Sequence, residues 1–380
     1  SFETSDLLRL IEQVMDDDLP IFKKNEGDIA EGLFALALAL YIADGTIDER
    51  KFNALRAKID PADTFEELVA EKELGGDPDL FRVKLTLRLK SVKTTGMSFG
   101  QYLQDVPTIN KKINTLVNQL PEKKAIKEIM AVRDEIINNT KKEVVEFHIL
   151  ADGVAGESSG GVIKSDVKLT ITVAEGSWKE LKAAGLEPHY EVAWSIKSDA
   201  KTVANRGVLV GLSELADAWG LPVFKSNVEQ YWEDIKVSGL NRDLAARIFR
   251  EFGDELMKID MNQEFVERAY NFIEASTHGE DMVDIIDIGP SKIKEITKDR
   301  LQAIKNDDGI LKVVEGTQNN GDPIFYFLNV PKGRDPHPGK DRVFQLRTKL
   351  RDPKQKKDGS WSKPEYKMMV ELGSLVFALP

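Results

Sequence analysis

Apolar residues in the first 140 positions recur mostly at helical spacing, and from Glu143 onward the period shortens to two. Ser5 and Asp6 can cap a helix running to about Met15. After Asp28, the residues Ile29, Leu33, Leu36 and Leu40 share one helical stripe, and the stretch stops at Asp44-Gly45. Asp48-Glu49 opens a further helix to about Ile59, and Val83, Leu85, Leu87 and Leu89 alternate through a predicted strand over Phe81 to Val92. Two more helices are predicted at about 98–119 and 122–141.

Three strand-like segments follow, Val144–Leu150, Ile163–Val173 and Tyr190–Ser198, rich in β-branched and aromatic residues and separated by glycine-rich turns. Val208–Trp219 is helical and ends at Gly220-Leu221-Pro222, after which helices are predicted at about 226–236, 241–259 and 262–277. The remainder reads as strand at Ile310–Val314, Ile324–Asn329, Arg342–Arg351 and Tyr366–Leu379. Lys332–Arg342 and Asp352–Lys363 read as exposed basic loops. The implied class is α/β, with a central mixed β-sheet flanked by helices. The expected organisation is a mainly helical region at 1–142 that lends the core a helix over 28–44, a sheet over 143–222, and a helical then β-rich region over 223–380.

Composition narrows this picture only in part. Charged residues make up 31% of the 380 positions and hydrophobic ones 41%, a balance typical of a folded chain with an ample core. The chain has no cysteine, which removes disulfides, thiolate metal sites and cysteine nucleophiles together and suits a reducing, cytoplasmic setting. The longest apolar run, Gly32 to Ala43, is too short to span a bilayer, so no membrane partner is expected. No charged-then-apolar secretory leader is expected either. The net charge of −11 argues against simple coating of nucleic acid, yet residues 331–380 carry 12 bases and 6 acids.

Several motifs invite chemistry that their spacing does not support. Gly156 to Ser165 follows a strand, but no lysine directly follows Gly161 and the next segment has strand period where a phosphate loop needs a helix N-terminus. Asp44-Gly-Thr-Ile-Asp48 lacks the remaining ligands of a calcium loop, and a helix stop followed by a helix cap accounts for it. His148, His189, His278 and His337 are scattered, with no pair at helical spacing.

Two neighbouring strand segments carry charge where burial would be expected. In Lys164-Ser-Asp166-Val-Lys168 the charged residues share one face, while Val167, Leu169 and Ile171 share the other. In Tyr190-Glu-Val-Ala-Trp-Ser195-Ile-Lys197-Ser198, residues Glu191, Ala193, Ser195 and Lys197 fall together. Pairing of the two segments would bring Asp166 near Lys197. A carboxylate can hold a divalent cation that polarises a phosphate and acidifies a bound water, and a lysine beside it can orient that water and offset developing charge. The plainer alternative is a solvated sheet face bearing ordinary charges.

This pair of strands resembles the PD-(D/E)XK nuclease superfamily, in particular restriction endonucleases with a KSD-hydrophobic-K strand followed by an SIKS strand. The resemblance covers roughly residues 140–206. It implies a restriction-endonuclease-like core, Mg²⁺ (or Mn²⁺) as cofactor, double-stranded DNA as substrate, Asp166 as metal ligand and Lys197 as catalytic lysine. The acid usually found two residues before the lysine is Ser195 here. Glu191 shares the face but lies about 20 Å from Lys197 along an extended strand. Glu31, near the start of the apolar helix, resembles a glutamate that members often place before the sheet; alternatively it complements the helix dipole. A second register remains open, with Asp152 and Asp166 as metal ligands and Lys168 as the catalytic lysine.

Lys164, Ser198, Lys201, Asn205 and Arg206, with Lys340 and Arg342 in the first basic loop, are the expected DNA-backbone contacts. The expected function is Mg²⁺-dependent endonucleolytic hydrolysis of DNA, as in a restriction enzyme or a phage-encoded relative. Two cuts per duplex make a homodimer the natural assembly. The rival expectation is a non-catalytic DNA-binding or phage assembly protein that keeps a degenerate nuclease sheet, which Ser195 favours.

Overall fold

The computed structural model describes residues 26–59, 68–70, 81–88, 109–139, 145–152, 164–173, 182, 189–198 and 200–378. The expected helix at 5–15 and the segment 98–108 lie outside these residues. The chain forms two compact units, one comprising the described residues up to 198 with Val283–Glu295, the other Ala200–Met282 with the described residues from Ile296 on. These units cut the chain at different points from the three sequence segments, so the stretch 143–222 is shared between them.

The first unit holds a mixed sheet of seven strands. In chain order these are β1 (Leu68–Ala70), β2 (Phe81–Arg88), β3 (Val145–Asp152), β4 (Val167–Val173), β5 (His189–Lys197), β7 (Asp284–Ile288) and β8 (Ile293–Ile296), while β6 (Thr202–Gly207) belongs to the second unit. The order across the sheet is β1-β2-β3-β4-β5-β7-β8. Strands β3, β4 and β5 form an antiparallel meander, with β2 parallel to β3 on one side and β7 parallel to β5 on the other. Strict alternation places Val145, Phe147, Ile149 and Ala151 of β3 and Val167, Leu169 and Ile171 of β4 in the core.

Helix α1 (Glu26–Asp44) packs against β2, β3 and β5. It is apolar on every side apart from Glu31, and all residues from Ile29 to Ala43 are buried except half-buried Tyr41. Phe34 meets the Trp194 ring edge-on at 5.6 Å between centroids, which fixes the helix to the apolar face of the sheet. The helix ends where Gly45 takes φ +73° and its N–H donates to Tyr41 O at 2.8 Å. Arg133 Nε also donates to Ile42 O at 2.6 Å, satisfying a terminal carbonyl. Helix α2 (Glu49–Lys58) starts at Asp48, whose side chain accepts from Lys51 N at 2.8 Å. Helices α3 (Ile109–Gln119) and α4 (Lys124–Asn139) follow, joined by a 3-10 turn at Leu120–Glu122. No single helix among the described residues is long and apolar enough to cross a membrane.

The second unit opens with β6 and helices α5 (Val208–Trp219), α6 (Pro222–Ser238), α7 (Arg242–Leu256) and α8 (Gln263–His278). A short helix α9 (Arg300–Asn306) follows, then β9 (Gly309–Thr317), β10 (Pro323–Pro331), β11 (Arg342–Arg351), β12 (Glu365–Leu372) and a final turn of helix α10 (Ser374–Phe377). The antiparallel sheet runs β6-β12-β11-β10-β9. Trp219 sits at the hub of its core, with the rings of Phe252, Phe272 and Phe327 within 6.3 Å. Gly253 makes room on α7 for the Phe325 ring of β10, because a Cβ there would stand 1.9 Å from Phe325 Cζ. Strand β6 covers residues to which the sequence assigns no strand: it pairs with β12, and its short polar sequence gives no alternating signal. Strand β12 stops at Leu372 rather than 379, because Gly373 N donates to Val343 O at 2.7 Å and turns the chain.

Glu371 on β12 is buried at 2% exposure and is held by Arg347 Nη2 at 2.6 Å, Gln345 and Lys201. Burial pushes its carboxyl up, but the hydrogen bonds from Arg347 and Gln345 and the charges of Arg347 and Lys201 outweigh burial and hold it below the ordinary range. A depressed folded-state pKa contributes stability above the unfolded pKa of about 4.3, and that contribution is lost as pH falls through the folded value. Glu371→Gln should lower stability at neutral pH by about 3 kcal/mol and flatten its decline below that point, as read by urea unfolding across pH. Phe34→Ala should cost about 3–5 kcal/mol in the same assay through the cavity left beside Trp194.

Candidate functional site

The register of β4 against β5 pairs Val167 with Trp194 and Lys168 with Ala193, and Asp166 N donates to Trp194 O at 2.8 Å. Asp166 therefore stands opposite Ser195 on the face away from Trp194. Its Oδ2 accepts three hydrogen bonds: from Ser195 Oγ at 3.0 Å, Ile196 N at 2.8 Å and Lys197 Nζ at 3.1 Å. Oδ1 takes part in none of the three. The Asp166 side chain is 14% exposed and that of Lys197 35%, so the ion pair stands at the edge of solvent, with buried Ser195 beneath it.

Strand β3 adds a second acid beside the first. Ala151 pairs with Val167, and Asp152 N donates to Asp166 O at 2.8 Å, so Asp152 and Asp166 are lateral neighbours on one face. On the far side of β5, Lys197 pairs in register with Asp287 of β7. In a parallel pair, residues in register project to the same side and their strands lie about 4.8 Å apart. Lys197 thus has Asp166 on one flank and Asp287, 5% exposed, on the other. The sequence reading missed Asp287 and the strand that carries it. The available signal was an acid inside Asp284-Ile-Ile-Asp287-Ile288, where every other strand interior position is isoleucine.

The remaining sequence candidates are dispersed. Lys168 forms an ion pair with Glu191 at 3.0 Å, so it is not turned to Asp166 in the way Lys197 is. Lys164 and Ser198 flank the same end of the sheet, since one precedes β4 and the other follows antiparallel β5. Glu31 is buried on α1, one turn before Phe34, and that helix covers the apolar face while Asp166 and Lys197 project from the opposite one. Among the described residues, no group of three or more His, Asp or Glu is arranged to hold a metal ion.

Lys201, Asn205, Arg206, Lys340 and Arg342 all belong to the second unit. Lys201 pairs with Glu371 at 3.4 Å and Arg206 with Glu214 at 3.8 Å. Asn205 lies in β6, in register with Met369. Arg342 donates to Gln345 at 2.9 Å and lies over the Tyr326 ring at 5.4 Å. Lys340 sits in the exposed turn before β11.

The Asp166 cluster predicts an asymmetric stability response. Ser195→Ala removes a buried donor to a charged acceptor and should cost about 1.5–3 kcal/mol. Lys197→Met removes a partly solvated ion pair and should change stability by less than about 1 kcal/mol. Chemical denaturation of the two variants tests this difference. Comparison with known family models, characterised proteins and solved structures finds no match for this chain.

Proposed function

We propose that the chain is a Mg²⁺-dependent endonuclease of the PD-(D/E)XK type that hydrolyses phosphodiester bonds in DNA, with a restriction-endonuclease-like core formed by the meander β3-β4-β5 and helix α1. The observation that carries this reading is the convergence of Asp166 and Lys197, from neighbouring strands, at a half-open end of the sheet with 3.1 Å between Nζ and Oδ2.

The residues present suit a magnesium ion. Mg²⁺ takes oxygen ligands, keeps several waters and is commonly held by one or two carboxylates together with substrate phosphate. Asp166 would hold it through the oxygen not engaged by Ser195, Ile196 and Lys197, with Asp152 as the adjacent second carboxylate. A bound divalent ion would supply Lewis acidity toward the phosphate and lower the pKa of a coordinated water. The chain's own contribution is orientation and charge. Ser195 and the Ile196 amide fix the rotamer of Asp166, so the carboxylate needs no reorganisation when substrate arrives. Lys197 places a cation where a scissile phosphate would gain negative charge, and it can orient the attacking water. Lys164 and Ser198, at the same sheet end, would contact the flanking backbone.

One observation favours a second reading. A buried hydroxyl at Ser195 occupies the position of the usual acid and donates to Asp166, as it would in a sheet that has kept the fold and lost the chemistry. That chain would bind DNA or serve phage assembly without cutting. Nicking of supercoiled plasmid with and without Mg²⁺ separates the two. The nuclease reading expects Mg²⁺-dependent nicking that drops by about 100-fold or more in folded Asp166→Ala and Lys197→Ala variants. Cleavage that survives both substitutions rules out this site, and binding without cleavage across several divalent ions supports the non-catalytic alternative.

A further inference from the structure

The hairpin joining β11 to β12 is strongly basic within an acidic chain. Arg342–Lys367 contains nine Lys and Arg residues against three acids. The antiparallel register sets Lys349 directly opposite Lys367, and like charges facing each other across a strand pair are destabilising by themselves. Glu365 neutralises part of this, pairing with Lys349 at 2.9 Å and reaching Arg351 at 3.9 Å. At the tip the charge of Lys356 acts on Asp358, and the relief there is smaller. Lys354, Lys356, Lys357 and Lys363 form no ion pair among the described residues, and all four are exposed.

The two other acids of the hairpin are already engaged in building it. Asp352 accepts from Tyr366 Oη at 2.6 Å, and this hydrogen bond raises the Tyr366 hydroxyl to about 12. Asp358 accepts from Ser360 Oγ at 2.6 Å and Ser360 N at 2.9 Å, which holds its carboxyl below the ordinary range. The turn is further closed by Lys354 N to Ser362 Oγ at 2.8 Å, Ser362 N to Lys354 O at 2.8 Å and Gly359 N to Lys356 O at 3.0 Å, with Gly359 at φ +82°. A solvated linker has no need of this ordering. An ordered tip loses less entropy when it engages a ligand.

On that tip stands Trp361, 65% exposed, bridged to Gln355 across the turn. Exposed cations on an ordered turn, with an exposed aromatic ring among them, are the two parts of a sequence-tolerant grip on a nucleic-acid strand with unpaired bases. The cations track phosphates and the ring takes a base. Duplex DNA keeps its bases stacked inside and offers no base face to such a ring. We propose that the β11–β12 hairpin is a binding surface for single-stranded nucleic acid, with Trp361 as the stacking platform and Lys354, Lys356 and Lys357 as phosphate contacts. This surface goes beyond the proposed cleavage site and does not depend on it.

Fluorescence anisotropy of a labelled oligo-dT with the full chain, without divalent ions and over a range of salt, tests the proposal. The expected result is weakening of oligo-dT binding by at least about fivefold in Trp361→Ala, with binding of a duplex of equal length changed by less than about twofold. A Lys354/Lys356/Lys357→Gln triple variant should lose about 2 units of the salt slope, at roughly 0.7 per phosphate contact. The altered side chains are exposed, and unchanged melting temperatures would confirm that each variant folds. Equal oligo-dT affinity in Trp361→Ala and wild type overturns the proposal, as does an equal loss of duplex binding in that variant. Asp166→Ala should bind oligo-dT like wild type, so loss of nicking alone bears on the cleavage site and not on the hairpin.

Discussion

The pairing of β4 with β5 in one register is the constraint on which the site depends. Side chains alternate across a strand, so a slip of one residue would send Asp166 and Lys168 into the core and Val167, Leu169 and Ile171 into water. Helix α1 removes that freedom. It presents a largely apolar surface in which Glu31 is the buried acid, and Phe34 against Trp194 ties that surface to the side of β5 opposite Ser195 and Lys197. This buried helix thereby decides which face stays polar, and the Asp166–Lys197 pair follows from a packing choice made on the other side of the sheet.

Because α1 seals the apolar side, the polar face can hold charge near solvent at modest cost. Asp166 collects a backbone amide, a hydroxyl and an ammonium on one oxygen, which compensates its partial burial without a continuous buried network. Glu371 in the second unit shows the contrasting case. It is far more buried, and its charge is retained only because Arg347, Gln345 and Lys201 surround it. Such a closed network specifies which strands meet, whereas the Asp166 cluster leaves one carboxylate oxygen outside its three hydrogen bonds. This difference makes Asp166, and not Glu371, the acid suited to a ligand.

What the sequence revealed tracks the range of the interactions involved. Strands β3, β4 and β5 were legible because their alternation is local, and α1 was legible because its apolar run begins and ends within one element. Arg342–Arg351 was read at its true bounds for the same reason. Strand β7 escaped notice: Asp284–Ile288 is short and its burial comes from lying next to β5, about 90 residues earlier in the chain. Asp287 escaped with it, since its placement beside Lys197 is a property of sheet order alone. The side of the sheet on which Glu31 lies was equally inaccessible, because helical spacing says which residues are buried but not against which face.

Net charge proved the least informative property of the sequence, for a physical reason. At physiological salt a charge is screened over about 8 Å, so an excess of acids elsewhere in the chain does little to the potential at an exposed hairpin tip. The acids that could neutralise the β11–β12 hairpin are those within it. Those three acids keep their charge, but the hairpin's nine Lys and Arg residues outnumber them by six, so a positive local field survives a chain-level charge of −11. The expectation that this chain would not coat nucleic acid and the inference that one turn of it grips a strand are compatible, because they concern distances on either side of the screening length.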